Sequence, residues 1–140
     1  MDRVEQPASD SGWQSRNMFI RTVSDAEPLL APFFASQEGE AVAVLHLDPS
    51  GRLLGTTFTE GEADEAELPV RDILGAALRF GATGIIVAHN HPSGQAEPSE
   101  EDMRATRRLF EAANAAGIRL FDHLLFAGGE CRSFRALGLL

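Results

Sequence analysis

Two histidines separated by one residue, His89 and His91, are the side chains of this sequence best suited to chemistry. In an extended segment, residues two apart point to the same side, so both imidazoles can reach one point while Asn90 faces away. Asp102 falls in the first turn of the next predicted helix, where its carboxylate can complete a set of three ligands. Two histidines and one carboxylate, with a fourth position left for water, are typical of a catalytic zinc site.

Each part of this pattern also has a purely structural interpretation. A His-x-His pair at the end of a strand can be a hydrogen-bonded surface pair. Ser99 and Asp102 have the spacing of a capping box, in which Ser99 is the N-cap and Asp102 reaches back to its backbone N–H. Spacing alone favours the cap for Asp102, whereas the position of the whole set at the exit of a buried strand favours a functional site. The sequence leaves both interpretations open.

The segment AHNHPSGQAEPSEED, residues 88–102, resembles the metal-binding motif of a known enzyme family. The order His-x-His-Pro, with seven residues between the second histidine and a Ser-x-x-Asp, is similar to the JAMM (MPN+) metalloprotease motif. Together with the later DHLLF at 122–126, the segment is similar to the bacterial RadC-type branch of that family. The resemblance covers roughly residues 35–140.

This resemblance carries expectations about fold, cofactor and reaction. It implies that Zn²⁺ is bound by His89, His91 and Asp102, and that Ser99 helps to hold the substrate oxyanion or the metal-bound water. It implies a cytidine-deaminase-like α/β fold, a three-layer α/β/α sandwich with a mixed sheet. The implied reaction is hydrolysis of a peptide or isopeptide bond by metal-activated water, so the expected partner is a protein or peptide substrate.

JAMM enzymes also need an upstream glutamate as general base, and the resemblance favours Glu60. This residue ends a predicted strand and precedes Gly61, like the Glu-Gly pair of RadC-type sequences. Glu62 is the second candidate. A carboxylate within hydrogen-bond reach of the zinc water could take its proton and pass it to the leaving amine. The alternative is that the acidic run at 60–67 is a solvated loop without a catalytic role.

Two further residues, His123 and Cys131, are of types that can take part in a functional site. His123, in the pair Asp122-His123 of a later predicted strand, is either a partner that supports a metal ligand or a buried histidine whose hydrogen bonds are satisfied in the core. For Cys131 we expect a packing residue rather than a nucleophile.

The apolar pattern predicts an α/β or α+β domain in which helices cover a sheet. A helix is predicted from Ser24, kinked or ended at Pro32. The run GIIVA is typical of a strand buried on both faces, and it leads directly into His89. The predicted elements after the first helix are a hairpin at 40–48 and 52–60, helices at 70–80 and 99–116, and strands at 84–88, 118–127 and 130–134. The polar residues 1–17 predict a flexible leader, followed by a single domain at 18–140.

Composition limits the class of protein further. The chain has 140 residues, of which 44% are hydrophobic, enough for one domain with a real core. Its formal charge of −9 counts against a broad nucleic-acid-binding surface. A single cysteine cannot form an intramolecular disulfide, and the sequence has neither an apolar run of membrane length nor a signal-peptide pattern. We therefore expect a soluble cytoplasmic protein that does not bind membranes, of unknown oligomeric state.

Absent motifs exclude several enzyme classes. The sequence has no His-Glu-x-x-His helix of the common zinc proteases, no Pro-Cys-x-x-Cys of the nucleic-acid deaminases and no glycine-rich nucleotide loop. The sequence therefore predicts a zinc-dependent hydrolase of JAMM type. The alternative is a non-catalytic interaction module linked to DNA repair or processing, which the traditional name of RadC-type proteins suggests.

Overall fold

In the part of the chain that the computed structural model describes, residues 2–7, 18–60 and 68–140, six strands form one mixed sheet. The strands are β1 (Asp2–Pro7), β2 (Ala41–Leu47), β3 (Leu53–Glu60), β4 (Gly84–Asn90), β5 (Arg119–Ala127) and β6 (Glu130–Ser133). The helices are α1 (Val23–Ala35), α2 (Val70–Phe80) and α3 (Glu100–Ala115). The strand order is β1-β3-β2-β4-β5-β6, and neighbours are antiparallel except for the parallel pair β4 and β5.

The helices cover both faces of the sheet, which confirms the predicted three-layer α/β/α sandwich. Side chains alternate along each strand, so neighbouring residues of β2 and β4 enter opposite cores. The core on one face, called the α1 side below, includes Ala26, Leu30, Phe34, Ala43, Leu45, Ile86, Ala88 and Phe126. The core on the other face, called the α3 side because α3 covers it together with α2, includes Val44, Ile73, Ala77, Ile85, Val87, Ala105 and Leu109.

β4 lies in the middle of the sheet and is buried along its whole length. A strand covered by helices on both faces needs apolar residues in both directions, which explains the unbroken apolar run at 84–88. The strand continues beyond the predicted end to include His89 and Asn90. The first candidate ligand is therefore part of the sheet itself.

The hairpin of β2 and β3, α2 and α3 lie where the sequence predicts them, but α1 is longer. It continues through Pro32 to Ala35, so of the two predicted alternatives, a kink or an end at Pro32, the end is wrong. The last turn is held by packing, since the ring of Phe34 stacks on Phe126 with centroids 4.8 Å apart. This contact offsets the hydrogen bond that proline cannot donate. In the described part of the chain, no helix is both long and apolar enough to cross a membrane.

β1 lies within the segment expected to be a flexible leader. Its backbone pairs antiparallel with β3, from Asp2 opposite Glu60 to Pro7 opposite Gly55. The expectation of a loose chain is therefore wrong for residues 2–7, because they satisfy backbone groups that β3 would otherwise present at an open sheet edge. Residues 1 and 8–17 lie outside the described residues, so the division into leader and domain stays a prediction.

Candidate metal centre

His89, His91 and Asp102 come together at the C-terminal end of β4. His89 belongs to the strand, His91 follows it directly, and Asp102 lies in the first turn of α3. The Nε2 atom of His91 is 2.9 Å from Oδ2 of Asp102. The Nε2 atom of His89 is 3.3 Å from Oδ1 of Asp102 and 3.3 Å from Nε2 of His91. Three donor atoms on buried or half-buried side chains therefore face one point.

Hydrogen bonds to the neighbouring strands fix the end of β4, where both histidines lie on the same side of the chain. Asn90 lies between them and points the other way by strand alternation. Its side-chain amide accepts a hydrogen bond from the backbone N–H of Ala41 at 2.7 Å and donates one to the carbonyl of Gly39 at 3.1 Å. Beyond the strand, the N–H of His91 donates to the carbonyl of Phe126 at 3.0 Å. The end of β4 is thus fastened to the start of β2 and to β5.

The carboxylate of Asp102 takes part in a helix cap and in the cluster at the same time. Its Oδ2 accepts the backbone N–H of Ser99 at 2.9 Å, and Ser99 Oγ accepts the N–H of Asp102 at 3.0 Å. The capping box and the predicted ligand role, which the sequence presents as alternatives, are therefore compatible. Burial tends to raise the pKa of Asp102, but the hydrogen bond and charge of His89 and the hydrogen bonds from Ser99 outweigh it and hold the pKa well below its usual range.

The ring of His91 is oriented by a backbone carbonyl. Its Nδ1 atom lies 2.8 Å from the carbonyl oxygen of Gln95 in the loop before α3. A carbonyl oxygen only accepts hydrogen bonds, so Nδ1 carries the proton and donates it. The lone pair of a neutral His91 is then on Nε2, which faces Asp102 and His89.

His123 contacts the cluster from within the core of the α3 side. Its Nε2 atom lies 2.7 Å from Nδ1 of His89, and its ring stacks on Phe134 with centroids 4.2 Å apart. Burial lowers the pKa of His123 well below its ordinary value. The two interpretations from the sequence, a core histidine and a partner of a ligand, thus both describe its position. The adjacent Asp122 instead binds the Ser133 hydroxyl and stabilises the turn after β6.

The strand register does not bring Glu60 to this cluster. Glu60 is the last residue of β3 and pairs with Ala41 of β2, so one whole strand separates it from β4. Phe58, two residues earlier, packs in the core of the α1 side, and strand alternation places Glu60 on that side too. Two strand spacings correspond to roughly 10 Å between backbones. Glu62 lies outside the described residues.

Glu40 is a carboxylate that the sequence reasoning did not consider. Val42 of β2 pairs with His89 of β4, and extending this antiparallel register places Glu40 opposite His91. Val42 packs on the α3 side, so alternation puts Glu40 on the same side as both histidines. In the sequence, Glu40 is distinguished only by its position at the start of a predicted strand. Its nearness to the cluster follows from the pairing of β2 with β4.

A cavity of about 330 Å³ opens next to His91 on the α1 side of the strand end. Its apolar wall includes Phe34 and Phe126, and two carboxylates, Glu27 and Glu130, also line it. The cavity lies between the C-terminal half of α1 and the turn that joins β5 to β6. Of the three cluster residues, only His91 lines it.

The three donors suit a metal ion with the preferences of zinc. Catalytic zinc sites use three protein ligands of these types and leave the fourth position to water or substrate. Ligands at zinc-bond distances in a tetrahedron are about 3.3 Å apart. The separations here are 2.9, 3.3 and 3.3 Å. The cluster thus has the donor types and the spacing for one tetrahedral ion.

Comparison with known proteins places the chain in a family. The model of the RadC-like JAB domain matches residues 20–139. A UPF0758 protein of Nostoc sp. is 48% identical over 105 residues, which are 74% of this chain and 43% of that protein. UPF0758 proteins of Acaryochloris marina and Vibrio atlanticus are 47% and 37% identical over 87% and 89% of this chain, and 52% and 56% of their own lengths. The chain spans about half the length of these relatives, and it belongs to the RadC-like JAB domain family.

Proposed function

We propose that this protein is a zinc-dependent hydrolase that cleaves a peptide or isopeptide bond. The observation that carries the proposal is the convergence of two imidazole nitrogens and a carboxylate at the end of β4. The distances between these donor atoms are 3.3 Å or less. The family gives further support, because the motif that the sequence resembles belongs to metal-dependent peptidases. When bound, zinc would polarise the scissile carbonyl and lower the pKa of a water molecule. His89, His91 and Asp102 would hold it.

The register of β2 supports Glu40 as the general base. A base must lie within hydrogen-bond reach of the proton it removes. The extended register of β2 and β4 places Glu40 opposite His91 on the same side of the sheet, whereas Glu60 lies two strands away on the other side. The Glu40 carboxylate would take a proton from the attacking water and deliver it to the leaving amine. Glu60, the candidate from the sequence, remains the competing assignment.

In the proposed reaction, Ser99 binds the substrate oxyanion. It is exposed at the N-terminus of α3, and its Oγ atom accepts the N–H of Asp102. A hydroxyl that accepts one hydrogen bond can still donate its own proton. In this proposal that proton is donated to the carbonyl oxygen as negative charge develops there.

A protein or peptide is the substrate class that the surroundings favour. The cavity next to His91 offers the rings of Phe34 and Phe126 to an apolar side chain, while Glu27 and Glu130 add negative charge. This charge and the formal net charge of −9 oppose a polyanionic substrate such as nucleic acid. We therefore expect cleavage of peptides that place an apolar or basic side chain near the scissile bond.

Zinc content is the first test of this proposal. We expect elemental analysis to find about one zinc ion per purified wild-type chain, as three protein ligands normally bind one. His91→Ala should lose the metal, and the matched control His46→Gln, at a buried histidine outside the cluster, should keep it. Wild-type protein that takes up no zinc after reconstitution would refute the proposal.

Turnover then tests the reaction and the base. In a panel of linear and isopeptide-linked peptides, we expect Glu40→Gln to keep zinc and to lose roughly 10²–10⁴-fold in turnover. Glu60→Gln should retain wild-type turnover, and the reverse result would assign the base to Glu60. Zinc-loaded wild-type protein that cleaves no peptide would instead favour a non-catalytic interaction module.

A further inference from the structure

A chain of buried hydrogen bonds leads from α3 through β5 to the ring of His89. Thr106 Oγ1 lies 2.7 Å from the backbone carbonyl oxygen of Asp102 and 2.5 Å from Nδ1 of His123. On the other side of the same ring, Nε2 of His123 lies 2.7 Å from Nδ1 of His89. Thr106 and His123 are only 2% and 1% exposed, so solvent does not compete for these bonds.

The chemistry of the groups gives each hydrogen bond one direction. A hydroxyl has a single proton, and Thr106 donates it to the Asp102 carbonyl, which can only accept. Thr106 Oγ1 must therefore accept the second bond, which places a proton on Nδ1 of His123. With that proton on Nδ1, the neutral ring of His123 has its lone pair on Nε2 and accepts there. The donor to that lone pair is Nδ1 of His89.

The direction of this last bond decides whether His89 can be a ligand. A neutral imidazole carries its proton on one nitrogen and a lone pair on the other. With the proton on Nδ1, the lone pair of His89 is on Nε2, the atom that faces His91 and Asp102. With the proton on Nε2, that atom could not bind a metal. For His91, the hydrogen bond to the Gln95 carbonyl sets the tautomer directly. For His89, the tautomer depends on two side chains, His123 and Thr106.

We propose that His123 and Thr106 are positioning residues that set the tautomer of His89 and aim its Nε2 lone pair at the metal centre. The stacking of His123 on Phe134 and the anchoring of Thr106 to the first turn of α3 hold the two groups in place. The proposal rests on the metal site of the proposed function, and it assigns to the buried polar pair a role in metal affinity in addition to any role in folding.

Substitution of Thr106 tests this with little change of shape. In Thr106→Val, Nδ1 of His123 loses its acceptor, so the ring can move its proton to Nε2 and donate to His89, which then takes the wrong tautomer. We expect zinc affinity, measured by competition with a chromophoric chelator, to fall about 10–100-fold, the range for lost supporting partners of metal ligands. Thr106→Ser keeps the hydroxyl and should restore wild-type affinity.

A second buried pair provides the matched control. Thr57 Oγ1 lies 3.1 Å from Nε2 of His46, away from the cluster, so Thr57→Val removes a similar hydroxyl without contact to the metal centre. We expect its zinc affinity to equal that of the wild type. Thr106→Val with wild-type affinity would overturn the proposal, and so would an equal loss in Thr57→Val, because a general effect on folding would explain both.

A measurement on metal-free protein separates this inference from the zinc proposal. Imidazole ¹⁵N shifts report the tautomer of each histidine directly. We expect His123 of the wild type to carry its proton on Nδ1, and His123 of Thr106→Val to carry it on Nε2. A wild-type His123 protonated on Nε2 would overturn the inference. If the tautomers are as expected but no zinc binds, the proposed function fails and the assigned role in metal affinity fails with it.

Discussion

At the scale of single residues, the carboxylate of Asp102 joins the start of a helix to a cluster of imidazoles. Oδ2 accepts the N–H of Ser99 and also lies 2.9 Å from Nε2 of His91, while Oδ1 faces His89. The cap holds the carboxylate in one rotamer before any ligand arrives. Such preorganisation strengthens binding because the side chain has little conformational freedom left to lose.

Ser99→Ala and Asp102→Asn should separate the cap from the ligand role. Ser99→Ala removes the acceptor for the N–H of Asp102 and should lower the free energy of unfolding by about 1 kcal/mol, with only a small effect on zinc affinity. Asp102→Asn retains an acceptor for the Ser99 N–H but removes the charge, so it should lose zinc by more than the roughly 10–100-fold typical of indirect partners. Urea denaturation of metal-free protein and zinc competition titrations measure the two quantities. Equal loss of zinc affinity in both variants would contradict this separation.

At the scale of elements, the pairing of β2 with β4 decides which side chains meet. The pair Val42 and His89 sets a register that, extended by two residues, places Glu40 opposite His91. Asn90 secures this register just beyond the paired residues through its bonds to Gly39 and Ala41. A slip of one residue would move every side chain of β2 to the opposite face of the sheet.

Asn90→Ala should therefore affect both stability and the site. It leaves the N–H of Ala41 and the carbonyl of Gly39 without their partner, which should cost about 1–3 kcal/mol of unfolding free energy. It should also lower turnover with less effect on zinc content, because Glu40 loses its fixed position while the three ligands remain. Asn114→Ala, on the exposed surface of α3, is the matched control and should show neither effect. Chemical denaturation and turnover assays give the comparison, and a turnover loss no larger than that of Asn114→Ala would refute the positioning role of Asn90.

At the scale of the whole molecule, the sheet separates two cores, and buried histidines lie on the α3 side. Besides His89 and His123, that side contains His46, which is fully buried, bonds to Thr57 and packs against the ring of Phe80. Burial, assisted by the charge of Arg79, lowers the pKa of His46 from its ordinary value of 6.5 to about 4. The folded state therefore resists protonation that the unfolded chain accepts.

The stability of the metal-free protein should consequently decrease in acid. The contribution of neutral His46 is complete above pH 6.5 and is lost as the pH falls from 6.5 towards 4, because the unfolded state binds the proton first. This difference in pKa corresponds to about 3 kcal/mol of unfolding free energy. Between pH 7 and pH 4, His46→Gln should lose less unfolding free energy than the wild type. The buried His123 should account for part of the loss that remains in the variant. Urea denaturation at the two pH values measures this, and an equal loss in both proteins would show that His46 does not control it.

Local patterns in the sequence were sufficient for several parts of the structure. The β2–β3 hairpin, α2, α3 and the buried strand before His89 follow from apolar periodicity and turn residues, which act over a few neighbours. The His-x-His spacing and the Ser99–Asp102 box are also local, since an extended segment and a helix start place their side chains in known directions. The family resemblance extended this to the three-layer fold.

The tertiary structure decided what depends on pairing between distant segments. Val42 lies opposite His89 because β2 and β4, which are far apart in the chain, pair in one register, and neither spacing nor composition encodes that register locally. Residues 2–7 form a strand because β3 offers them an edge. His123 reaches His89 because β5 lies parallel to β4. In each case the contact is selected by the burial of whole elements against one another, which no short stretch of sequence shows.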